Sequence, residues 1–273
     1  MLGKLIKHEW KGTYKMGCLM LFITLLVTVM GWLSFQSPMW KMDSDSYYMS
    51  FGPLDFISII VLLMYVFMLA GISYAILIYL GVHFYKTMYT AQGYLTHTLP
   101  VGKHQLLCSK LLVNGLWLLF VNAAVILSAI VVFGSLIGAL VPDGYAWIDF
   151  WKEFTESLGK FFIYLDLNQS FYLVVLLFSA LIGPFASVAI LFGSITLGQI
   201  FSKARVLMAI LCYVGVGVVN SLVASVVQSL TAFNSLKLTF NISFNSSIIV
   251  QLIAAVLLYF AAYQILTKKL NLE

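Results

Sequence analysis

Six stretches of the chain carry apolar residues almost without interruption: Gly17 to Phe35, Phe56 to His83, Leu111 to Leu140, Phe171 to Phe201, Val206 to Leu230 and Ile248 to Leu266. None contains Asp, Glu, Lys or Arg. A helix rises about 1.5 Å per residue, so roughly 20 apolar residues cross a hydrocarbon layer of about 30 Å. Each stretch is therefore predicted to be a spanning helix. The second, third and fourth exceed what one bilayer requires and are expected to tilt or to continue beyond it. The pattern predicts an all-α membrane protein with six transmembrane helices and one transmembrane domain over residues 1–273.

Composition excludes a soluble alternative. The chain is 62% hydrophobic and 9% charged, with a mean hydropathy of +1.01. A soluble domain is about a quarter charged, and a chain this apolar could not cover its core in water. Outside the spans lie two amphipathic segments. In Leu2 to Met16, residues Leu2, Leu5, Ile6, Trp10, Thr13 and Tyr14 share one face, while Lys4, Lys7, His8, Lys11 and Lys15 fall elsewhere. Trp and Lys at this spacing suit a helix lying in a membrane interface. In Trp147 to Leu165, residues Trp147, Phe150, Trp151, Phe154, Leu158, Phe161, Phe162 and Leu165 share one face, with Asp149, Lys152, Glu153, Glu156 and Lys160 on the other. A short loop is expected around Phe233 to Asn245.

Charge then orients the chain. With both termini cytoplasmic, the inside holds Lys4, Lys7, Lys11, Lys15, Lys86, Lys103, Lys110, Lys203, Arg205, Lys268 and Lys269. The outside holds Lys41, Lys152, Lys160 and Lys237, so the chain's 15 basic residues divide as eleven against four. That is the asymmetry of the positive-inside rule. It accounts for the net charge of +5 and leaves no reason to expect a nucleic-acid partner. The helix over 147–165 is then external, and the N-terminal segment is not expected to be a cleaved signal.

Several chemistries are absent from the sequence. There is no GxxxxGK[ST] phosphate loop and no HExxH pair. No carboxylate lies within a span, which disfavours proton or sodium relays built on Asp or Glu. Cys18, Cys108 and Cys212 are far apart and read as structural thiols. No metal site, cofactor or catalytic residue is expected in this chain. Polar residues inside spans must hydrogen-bond to other helices or line a cavity. Asn114 and Asn122 in the third span, with Asn220 and Gln228 in the fifth, are therefore candidates for a substrate path. Ser128, Ser221 and Ser225 belong to the same set, and Gly215 and Gly217 permit close helix packing. Gly183–Pro184 sits mid-span in the fourth helix and is a candidate hinge, because proline removes a backbone donor and clashes with the preceding turn.

The most informative stretch is Phe84 to Leu112. Lys86 to Leu99 is amphipathic and short, Pro100 starts a new element, and Gly102 can cap the helix that leads into the third span. A loop with apolar residues and few charges is a candidate docking surface. Residues Gly93, Tyr94, Leu95, Thr96, Thr98, Leu99, Pro100, Val101, Lys103, Leu106, Leu107, Lys110, Leu111 and Leu112 resemble the loop after the second helix in ABC transporter permeases of the type-2 exporter class. His97 stands where an apolar residue is usual and Gly102 where Ser is usual. Leu5 to Lys11 is similar to that family's amphipathic elbow helix.

This resemblance implies a dimeric permease of six helices per subunit, its partner being the same chain or a homologue. It also implies one cytoplasmic ABC ATPase per subunit, with ATP and Mg bound by the ATPase. The loop between helices 2 and 3 would be a cytoplasmic coupling element, docking through Tyr89, Gln92, Gly93, Tyr94, Leu95 and Thr96. The expected function is outward movement of an amphipathic substrate (a peptide, lipid-like molecule or drug) across a cell membrane, taken to be a bacterial plasma membrane. The competing expectation is a membrane-embedded immunity or sensor protein that binds a ligand without transporting it.

Overall fold

The structure, a computed structural model, describes residues 2–36, 40, 53–98, 100–140, 147–164, 169–201, 204–231 and 236–268. Among these there are α-helices and no strands. In chain order they are α1 (Leu2–Ser34), α2 (Pro53–Tyr89), α3 (Ala91–Thr98), α4 (Lys103–Leu140), α5 (Trp147–Tyr164), α6 (Gln169–Gly198), α7 (Arg205–Thr231) and α8 (Leu236–Lys268). All but α3 and α5 are long and apolar enough to cross a membrane, over Leu2–Ser34, Phe56–Tyr89, Lys103–Ala139, Phe171–Gly198, Arg205–Val227 and Ser246–Thr267. Helix is what lipid demands, because only a helix satisfies every backbone polar group within its own segment.

Three boundaries differ from the pattern-based reading. The amphipathic segment 2–16 and the first span form one helix, α1, since no proline or glycine pair interrupts them. Helix α8 begins at Leu236, so most of the loop expected around 233–245 is helical. The helix expected over 86–99 is divided at Thr90: α2 carries on to Tyr89 and α3 starts at Ala91. Gly102 does precede the first residue of α4, and its carbonyl accepts the Leu106 N–H at 3.2 Å.

The described residues group into two compact units. The first comprises Met1–Thr13, Leu77–Leu119 and Phe161–Glu273. Its main layer is α6 packed on α7 and α8. Apolar burial cannot drive helices together in lipid, so close approach has to come from small residues. A β-carbon on Gly193 would lie 2.5 Å from Leu258 Cβ and 2.9 Å from the Leu258 carbonyl oxygen. One on Gly198 would lie 2.7 Å from the Ala209 N and Cβ. Gly193 thus sets the contact of α6 with α8, and Gly198 its contact with α7. Ala186, Ala189, Ile190, Ala255 and Leu258 fill the buried seam between them. Gly215 and Gly217 face open space, and neither mediates a close contact among the described residues. Helix α6 passes through Gly183 and Pro184 without ending. Pro184 is buried and Gly183 half-buried, and Pro184 has no N–H for the Ala180 carbonyl.

The second unit comprises Tyr14–Ile76 and Phe120–Lys160. Its polar node is the buried Ser128 on α4. Thr28 of α1 donates to its hydroxyl at 2.7 Å, and the Tyr65 hydroxyl of α2 lies 3.1 Å away. Gly31 of α1 admits the Tyr65 ring and Val132 next to this node. Ser128 therefore makes the interhelical bonds expected of a polar residue at this depth. Helix α5 carries Ile148, Trp151, Phe154 and Ile163 on exposed positions.

The glycine contacts make a test. Gly193→Val is expected to lower thermal stability in detergent by about 1–3 kcal/mol, the usual range for overpacking. Gly217→Val should leave it within about 0.5 kcal/mol. Equal melting temperatures for the two variants would contradict the close α6–α8 contact.

Candidate functional site

Glu9 of α1 lies on the buried stripe of its helix, one turn before the buried Thr13. Lys110, in the second turn of α4, is 2% exposed and Glu9 is 8% exposed. The Lys110 ammonium donates to both Glu9 carboxylate oxygens, each at 2.9 Å, and to the Thr87 hydroxyl of α2 at 2.9 Å. Its three N–H donors are thereby matched by three acceptors. His83, one turn before Thr87, places Nε2 at 3.2 Å from Glu9 Oε1 and donates to it when that nitrogen carries the proton. Gly12 lies against the His83 ring, where a β-carbon would make ordinary van der Waals contact at 3.5 Å. Beside the cluster, Trp10 of α1 stacks on Trp117 of α4 with ring centroids 4.8 Å apart.

The same cluster sits directly behind α3. Gly93 donates its N–H to the Thr90 carbonyl at 2.7 Å, and a β-carbon there would fall 2.3 Å from the Met88 carbonyl oxygen. Only glycine lets α3 fold this tightly against the end of α2. The Thr96 hydroxyl, 2.8 Å from its own helix's Gln92 carbonyl, also reaches the Thr87 carbonyl at 3.2 Å. Thr87 thus touches Lys110 through its hydroxyl and α3 through its carbonyl. A continuous polar path runs from α3 through α2 to α4 and α1.

Each sequence-derived candidate has a definite place. Tyr89 is buried and donates to Thr196 of α6 at 2.8 Å, beside Phe84 stacked on Phe192 at 3.8 Å. It anchors the corner to α6. Gln92 is exposed, Gly93 is buried and Thr96 is half-buried. Tyr94 and Leu95 lie on α3, with side chains outside the described residues. Asn114 is fully buried one turn after Lys110, and neither of its amide atoms has a hydrogen-bond partner among the described residues. Asn122 is half-buried further along α4. Asn220 lines a cleft of about 770 Å³ between α6, α7 and α8, together with Ser187, Ser221, Ser225 and Gln251. Gln251 donates to Ser187 across it at 3.2 Å. Gln228 lies on α7, its side chain outside the described residues. No group of three or more His, Cys, Asp or Glu that could hold a metal occurs among the described residues.

The ion cluster itself escapes the sequence pattern. Lys110, His83 and Glu9 stand at span ends, where charges are assigned to topology. The one available signal was the acid at position 9 amid basic neighbours. At the C-terminal end of α8, Lys103 donates to the Leu266 carbonyl, an end group that α8 cannot satisfy itself.

The fold is that of a multi-span α-helical membrane protein. No protein-family model matches the chain, no curated protein matches it, and no solved structure matches it.

The buried pair is open to a double-mutant cycle. Lys110→Met leaves a buried carboxylate short of its main partner and is expected to destabilise by about 3–5 kcal/mol in detergent melting. Glu9→Met combined with Lys110→Met should recover most of that loss. If the two single losses simply added in the double variant, the coupling drawn here would be refuted.

Proposed function

We propose that the chain is the transmembrane permease subunit of an ATP-driven exporter, moving an amphipathic substrate outward while a separate cytoplasmic ABC ATPase supplies the energy. The observation that carries this reading is α3, a short helix folded tightly onto the end of a span and backed by the Glu9–Lys110–Thr87 cluster. A partner that moves such a helix moves the spans with it. A loosely tethered loop would dissipate the motion. The resemblance of Phe84 to Leu112 to permease coupling loops supports the same assignment.

In this reading α3 and both termini are cytoplasmic and α5 is external. Gln92, Tyr94, Leu95 and Thr96 meet the ATPase. Gly93 permits the close fold, and Tyr89 positions the corner from within. ATP and Mg belong to the partner, and the functional unit contains a second permease subunit. The cleft bearing Ser187, Asn220 and Gln251 offers hydrogen bonds within an apolar wall, as an amphipathic substrate requires. Gly183 and Pro184 supply the hinge in α6.

Affinity purification in mild detergent from the native host, with partners identified by mass spectrometry, should recover an ATPase. Tyr94→Asp or Leu95→Asp should abolish its recovery while membrane insertion persists. A folded preparation lacking an ATPase would favour a ligand-binding immunity or sensor protein instead. For topology, single cysteines beside Trp147 and beside Lys103 should label from opposite sides of the membrane, and labelling from one side would overturn the orientation.

A further inference from the structure

Two span ends meet at a cavity that neither the ion cluster nor the α2–α3 corner uses. It measures about 760 Å³, within the range of ligand sites. Tyr85 of α2 and Arg205 of α7 supply its polar groups, and Val206, Leu207, Ile210 and Leu211 its apolar wall. Arg205 opens the candidate span Arg205–Val227, and Tyr85 lies one turn before the end of the span Phe56–Tyr89. Arginine and tyrosine at span ends take up the headgroup level of a bilayer.

The wall faces outward. Only 6% of the most apolar stretch of α7 is buried, against 28% in α6. Val206, Leu207, Ile210 and Leu211 are each more than half exposed, so acyl chains reach them from the side. The guanidinium presents its N–H donors in a planar fork that matches phosphate oxygens. A net-anionic headgroup is attracted to that cation, whereas a zwitterionic one also brings a second cation beside it.

We propose that this cavity binds one anionic phospholipid. Arg205 and Tyr85 hold its phosphate, and its acyl chains lie along Val206, Leu207, Ile210 and Leu211. The proposal requires the chain to span a membrane and is independent of any ATPase partner.

The test uses the full chain, purified in detergent and stripped of lipid. Phosphatidylglycerol and phosphatidylcholine of identical acyl chains are added in turn, and native mass spectrometry reads the lipid-bound fraction. The wild type is expected to bind one phosphatidylglycerol about fivefold more tightly than phosphatidylcholine, the effect of one basic residue at an anionic headgroup. Arg205→Ala should abolish that preference, and Arg205→Lys should keep part of it. Leu207→Trp, which fills the wall and spares the cation, should weaken binding of both lipids. Lys152→Ala on α5 should change nothing. Equal binding of the two lipids by the wild type overturns the proposal without any variant having to fold. A preference that survives in folded Arg205→Ala overturns it too, as does full displacement of the lipid by inorganic phosphate. None of these results bears on ATPase recovery, so the exporter reading stands or falls separately.

Discussion

A charge withdrawn from water inside a membrane protein has to be met by the protein itself. Glu9 and Lys110 are both buried, and an unpaired ion there would carry a desolvation penalty of several kcal/mol. The cluster answers this with a complete set of partners: two carboxylate oxygens and a hydroxyl for the ammonium, lysine and histidine for the carboxylate. Completeness makes the geometry selective. Shifting α1, α2 or α4 at this level would strand a charge, so the three helices are held in one mutual arrangement beside α3.

Away from the charges, the two units hold together by different means. Glycines that admit a neighbouring backbone set the contacts of α6 with α7 and α8, because lipid removes the hydrophobic incentive for helices to meet. The second unit relies on shared hydroxyls instead, with Ser128 bonded to one neighbour on α1 and close to another on α2. Both devices work at short range and depend on side chains of the right size at one position each.

These constraints bear on function through α3. A helix of eight residues has little stability of its own. Its position comes from Gly93 against Met88, from Thr96 on the Thr87 carbonyl, and from the cluster behind Thr87. Tyr89 shows how a residue chosen for a docking face can serve the fold instead: its ring is buried and its hydroxyl is committed to Thr196. The outward part of the corner is therefore smaller than the motif that marks it.

The six spans were legible in the sequence, because each is a long run without a charge and lipid admits only helices to such runs. The start of α4 after Gly102 was legible, since glycine and proline punctuate a chain locally; the break at Thr90, inside the helix expected over 86–99, was not. Local pattern carried α1 only as two pieces, an amphipathic segment and a span, although nothing in Leu2 to Ser34 stops a helix. Tertiary structure alone decided that Glu9, His83 and Lys110 meet. They are 74 and 101 positions apart along the chain for the two contacts to Glu9, and each carries an ordinary reason to lie at a span end. It likewise decided which glycines matter. Gly193 and Gly217 both sit within apolar spans, and only the neighbour across the interface, Leu258 in one case and open space in the other, tells them apart.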